Sequence, residues 1–142
     1  MFKKETVLRI ATFVVIAFNA LGVLMVSLQA FVSPQSVMDL VGVQLNNTDA
    51  FSSIRGVYGG IGLLIFIQLI YLAFKNAKQG LALVALFGGL YAISRIMTIF
   101  MEGQLGDFGQ KWLVIESSLC VLALLLLFFH ARVPKKTALE HA

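Results

Sequence analysis

Apolar residues in this chain come in four long runs, broken by short polar segments, with neither the two-residue alternation of a half-buried strand nor the one-sided stripe of a surface helix. A helix needs roughly twenty apolar residues to cross the hydrocarbon of a bilayer, and it crosses as a helix because its backbone amides then satisfy one another. The runs at about 8–31, 51–74, 80–101 and 111–130 meet that length and predict four transmembrane helices. The fold expected is an all-α membrane protein, a four-transmembrane-helix bundle forming a single domain over residues 1–142. Lys3 and Lys4 open the chain in the manner of a secretory signal. The apolar run after them is longer than a signal's core and lacks a small-x-small exit, so it reads as a retained first helix.

The polar segment after the first run has its own pattern. Ser33 and Pro34 form an N-cap and first-turn pair, and Val37, Met38, Leu40 and Val41 follow at helical spacing, which predicts a short interfacial helix between helices 1 and 2. Asn47, Thr48 and Asp49 then offer caps for helix 2. Gly103, Gly106 and Gly109 recur at every third position and read as a flexible turn between helices 3 and 4.

Composition agrees with lipid as the main solvent. The chain is 59% hydrophobic and 13% charged, about half the charged share of a soluble domain, and its mean hydropathy is +0.91. The net charge of +4 is distributed by loop. Lys3, Lys4 and Arg9, then Lys75 and Lys78, then Arg132, Lys135 and Lys136 share one side, whereas Asp39, Asp49, Glu102 and Asp107 face Lys111 on the other. Under the positive-inside rule both termini are cytoplasmic. The charge is thus a topology signal with no nucleic-acid partner implied. Three basic residues in the tail also fall short of a lipid-binding cluster.

Three charges break the apolar runs: Arg55 in helix 2, Arg95 in helix 3 and Glu116 in helix 4. Counted from the outer helix ends, at about 1.5 Å per residue, they lie in one slab roughly 6–9 Å deep. A charge at the bilayer centre costs about 2.5–3.5 kcal/mol and somewhat less near the interface, so the three should pair or face water. Tyr58, Gly59 and Gly62 share the face of Arg55, Tyr91 and Gly88 that of Arg95, and Trp112 and Cys120 that of Glu116. The expectation is one cluster of Arg55, Arg95 and Glu116, with Tyr58 and Tyr91 as hydroxyl partners. Gly56 and Gly60 form a GxxxG pair, and Gly88 and Gly89 are adjacent, which predicts close helix approach beside the charges. Ser27 and Gln29 of helix 1 fall at the same depth, Asn19 deeper, and His130 at the opposite end. Two readings stay open. In one, Glu116 bridges both arginines as a structural knot; in the other, the excess positive charge receives a lipid phosphate, a carboxylate or a small anion.

Other chemistry is sparse. Cys120 is the only cysteine, which removes an internal disulfide or a CxxC pair. His130 and His141 make no metal site, Glu102 reads as a solvated loop carboxylate, and no phosphate loop or dinucleotide fingerprint calls for a cofactor.

The order SPQ after helix 1, SSIRGVYGG opening helix 2, SRIM late in helix 3 and WLVIESS early in helix 4 resembles a domain-of-unknown-function family (family 4345) of small bacterial membrane proteins, related to the DoxX-like group. The resemblance covers nearly the whole chain, with Arg55, Gly56, Tyr58, Gly59, Gly60, Arg95 and Glu116 at the matching positions. It implies a multi-pass protein of the bacterial inner membrane. Members of the wider group are associated with quinone-linked sulfur oxidation or act as small partners of larger membrane systems, a redox role that the lone cysteine does not support. The leading expectation is a non-enzymatic protein in contact with membrane lipids, whose outer-leaflet pocket of Arg55, Tyr58, Tyr91, Arg95 and Glu116 binds a lipid-like or small anionic ligand. An accessory subunit, pairing with a membrane-protein partner or with itself, is the alternative. An enzyme acting on a lipid or quinone is third.

Overall fold

The computed structural model describes residues 2–132 and is helical through all four apolar runs. α1 (Phe2–Val32) precedes the short α2 (Pro34–Asp39). α3 (Thr48–Ile54), a π-helical segment (Arg55–Ile61) and α4 (Gly62–Lys75) form one continuous rod, and α5 (Ala77–Met101) and α6 (Asp107–Arg132) follow. The four rods are long and apolar enough to cross a membrane. Even the 25 residues of α5 reach about 37 Å, more than the hydrocarbon thickness. The rods extend past the predicted runs because their polar ends continue helically. Lys135, Lys136 and His141 lie outside the described residues.

Capping residues set where the rods begin. Asn47 accepts the Ala50 N–H at 2.8 Å to start α3, as expected, and Asn76 accepts the Gln79 N–H at 3.3 Å to start α5 one residue after α4 ends. Ser33 occupies the N-cap position of α2 but makes no side-chain cap bond; the Ser36 hydroxyl donates back to the Ser33 carbonyl at 2.7 Å. Within α2, Val37 and Met38 are buried against Ala30 of α1, with Ile54 and Tyr58 alongside, so this helix seats on the end of the bundle. Leu40 and Val41, expected on the same apolar face, lie beyond its end and are exposed. Gln35 organises the loop that follows, donating to Asp39 at 2.6 Å and to the Val43 carbonyl at 2.9 Å while accepting from Leu45 N–H at 2.9 Å.

The bundle consists of two close-packed pairs, α1 with α4 and α5 with α6, joined by the α4–α5 hairpin. Glycine sets the approach at each contact. A Cβ on Gly80 would come 2.7 Å from the Ile16 Cδ1, one on Gly88 2.9 Å from the Glu116 carbonyl oxygen, and those on Gly59 and Gly62 3.0 Å from Phe31 and Ser27. The GxxxG pair does not serve this purpose: nothing approaches Gly56, and Gly60 meets only the carbonyl of Arg55 in its own helix, at 4.0 Å. Both point away from the bundle.

Ile16, Ala20, Leu69, Leu81, Val84 and Ala123 form the main core, near the bundle's centre and basic end. Large apolar side chains cover the outside instead. Phe18, Leu64 and Phe100 are among many with more than half their surface exposed, a distribution suited to lipid and hazardous in water. The protein is a multi-pass helical membrane bundle.

Candidate functional site

Arg95 and Glu116 meet across the α5–α6 interface. Gly88, Ala92 and Arg95 share one face of α5, at the i, i+4, i+7 spacing, and all but the arginine are buried. Because Gly88 has no side chain, the backbone of α6 at Glu116 comes into direct contact with α5, which places the carboxylate within reach of the guanidinium two turns on. The pair is bidentate: Arg95 Nε donates to Oε2 at 2.6 Å and Nη2 to Oε1 at 2.8 Å. Both side chains are shielded, with 18% and 11% of their surfaces exposed, so this is a partly buried, charge-assisted fork rather than a surface ion pair. The Phe108 ring lies 6.0 Å from the guanidinium carbon and screens it further.

Arg55 belongs to the other pair of helices. It is the first residue of the π-helical segment, is exposed, and its Nε donates to the Phe31 carbonyl at 3.2 Å. Phe31 lies in the last turn of α1, where carbonyls lack partners in their own helix and the dipole is negative. That turn carries no basic residue of its own, so Arg55 supplies the missing cation from a neighbouring rod. Four residues on, the buried Ser27 hydroxyl of α1 donates to the Gly59 carbonyl at 2.6 Å. The i→i+5 register of the π segment leaves its carbonyls less regularly paired than in an α-helix, and these two bonds tie it to α1.

The single cluster read from the sequence is therefore two half-sites. Glu116 does not bridge the arginines: it pairs with Arg95, and no Arg55 carboxylate partner exists among the described residues. The cause is packing, since the rod carrying Arg55 lies against α1 and α6 lies against α5. Nor do the tyrosines act as hydroxyl partners, because neither Tyr58 nor Tyr91 hydrogen-bonds an arginine among the described residues. Both stand close enough to Arg95 to feel its charge and each other's. Tyr91 also packs on Phe87 at 5.0 Å between ring centres.

The remaining polar candidates are accounted for locally. Gln29 donates to the Ser36 hydroxyl at 3.0 Å, fixing α2 to α1, and Asn19 donates only to its own helix, to the Val15 carbonyl at 3.5 Å. Cys120 packs with its sulfur 3.3 Å from the Cβ that Gly89 lacks, and Glu102 is the exposed C-cap of α5. His130, at the opposite end, hydrogen-bonds the fully buried Thr12 at 2.8 Å. Sequence reasoning missed Phe108 and the Phe31 carbonyl. The lack of a basic residue in the last turn of α1 was the available signal that another rod supplies one.

Comparison with curated proteins and with solved structures found no match. The family model described as "Domain of unknown function (DUF4345)" matches residues 11–127, most of the chain, including Arg55, Tyr58, Tyr91, Arg95 and Glu116, and the protein belongs to that family.

Proposed function

We propose that this protein holds the anionic head of a lipid-like or other small ligand at Arg55, in an outer-leaflet site walled by Tyr58, Tyr91 and the Arg95–Glu116 pair. One observation carries the reading. Arg95 and Glu116 neutralise each other, whereas Arg55 offers five N–H donors, gives one of them to a carbonyl and has no carboxylate partner among the described residues. A carboxylate or phosphate is the complement of that arrangement. The clustering of Lys75, Lys78 and Arg9 at the other end supports cytoplasmic termini, and in that orientation Arg55 would lie in the outer leaflet; the motif resemblance supports a bacterial inner membrane. The motif resemblance supports a relationship to the DoxX-like group.

Native mass spectrometry of protein extracted with its lipids tests the proposal. The number of anionic species retained per protein should fall by one in Arg55→Gln. An unchanged number in Arg55→Gln would overturn it.

A second reading has its own observation. Gly56 and Gly60, with Val57 and Ile61, present a small-residue ridge to the lipid on which no other helix packs among the described residues, the kind of surface on which transmembrane helices associate. An accessory subunit would use this ridge, and cross-linking through cysteines introduced at Val57 would report its partner.

A further inference from the structure

A second polar site lies at the opposite, basic end of the bundle. A cleft of about 500 Å³ opens where the start of α1 crosses the α4–α5 turn and the end of α6. Its floor is the Thr12–His130 hydrogen bond, which joins the first and last rods at 2.8 Å and is sealed beneath by the fully buried Thr12. Arg9 stands on the wall one turn before Thr12. No carboxylate pairs with Arg9 among the described residues, and Lys78 is near enough for His130 to feel its charge. The opposite wall is apolar: Phe13 of α1 and Phe74 of α4 meet edge to face at 5.5 Å and lie on the lipid-facing outside.

The geometry points to a binding site for the phosphate of a net-anionic phospholipid, with the head group in the cleft and the upper part of an acyl chain along Phe13 and Phe74. Three features argue for this occupant. Arg9 on the wall matches a phosphate's oxygens in a two-point fork. Among the described residues no aspartate or glutamate lines the cleft, so none of them receives the ammonium of a zwitterionic head group. The cleft also passes from cationic residues to phenylalanines within one turn of α1, the same order as a lipid's polar and apolar parts. Its volume suits a head group and the beginning of a chain, the rest staying in the bilayer. Basic pockets between helices near a membrane surface take anionic lipids by the same physics.

The test uses the full-length protein in detergent, with dioleoyl phosphatidylglycerol, dioleoyl phosphatidylcholine and inorganic phosphate as probes, and counts bound lipid by native mass spectrometry. Phosphatidylglycerol should bind about tenfold more tightly than phosphatidylcholine, which corresponds to about 1.4 kcal/mol. Arg9→Gln should remove that preference, and Ala77→Phe should remove it as well, because it fills the cleft while keeping every charge. Arg132→Gln, which changes a cation stacked on Phe128 away from the cleft, should leave it intact. Equal binding of the two lipids, equal losses in Arg9→Gln and Arg132→Gln, or no effect of Ala77→Phe would overturn the proposal. Displacement of the lipid by millimolar inorganic phosphate would also overturn it, by showing that the site reads a free anion. Loss of binding in Arg55→Gln but not in Arg9→Gln would reject this site and leave the outer one standing.

Discussion

Arg95 grips Glu116 through two parallel hydrogen bonds, 2.6 and 2.8 Å long, at a level of the bundle where Gly88 brings α5 and α6 into backbone contact. The glycine and the ion pair are one device. The close approach shields the charges from lipid and water, and the bidentate fork then holds the two helices in register.

That relationship fixes which residue depends on which. Glu116→Gln leaves Arg95 shielded and unpaired, and should destabilise the protein by about 3–5 kcal/mol. Adding Arg95→Gln should recover much of the loss, whereas adding Arg55→Gln should not. The measurement is unfolding by sodium dodecyl sulfate in mixed micelles, with the pairwise coupling taken from double-mutant cycles. A coupling of Glu116 with Arg55 as large as that with Arg95 would return the two arginines to a single cluster.

Gly88→Ala places a methyl 2.9 Å from the Glu116 carbonyl oxygen, a backbone atom that cannot turn aside. The helices must part, at a cost of about 1–3 kcal/mol. Gly56→Ala meets nothing within 4 Å and should be neutral or stabilising by up to about 1 kcal/mol, since alanine favours the helix. Equal thermal shifts in the two variants would show that Gly88 has no special role in the contact.

Ser27→Ala removes the hydroxyl that donates to the Gly59 carbonyl at 2.6 Å. The expected loss is about 1 kcal/mol, concentrated in the π-helical segment. Hydrogen exchange should quicken at the amides of Arg55–Ile61 and stay unchanged in α5 and α6. Uniform quickening along the chain would mean that the bond supports the whole bundle rather than this segment.

Topology is open to a direct test. A reporter active only in the cytoplasm should work when fused beside Lys78 or after Lys136, and fail when placed near Asn46 in the loop after α2. Activity at Asn46 and silence at Lys78 would reverse the orientation and place the Arg9 cleft on the outer face.

What the sequence by itself determined is whatever depends on residues near one another in the chain. Four apolar runs of membrane length required four helices, Asn47 marked the start of the second span, and the loop lysines and arginines assigned a common side to the basic segments. Each of these rests on local hydropathy, a local cap or a count of charges. The pairing of Glu116 was of another kind. A carboxylate inside a bundle can turn to either neighbouring helix, and the choice fell to Gly88, whose missing side chain let α6 settle on α5 and away from the rod bearing Arg55. The GxxxG face was equally undetermined. A GxxxG spacing states that two small residues share a face, not which way that face points. The face shared by Arg55, Gly59 and Gly62 does meet α1, as their spacing indicated, even through the π-helical segment at Arg55–Ile61, whereas nothing approaches Gly56 and Gly60 meets only its own helix. The Thr12–His130 bond joins residues 118 positions apart, and the cleft above it exists only once α1 and α6 are brought side by side. Tertiary packing decided these features because helix rotation and helix partner are properties of the assembled bundle, to which no single run of residues is bound.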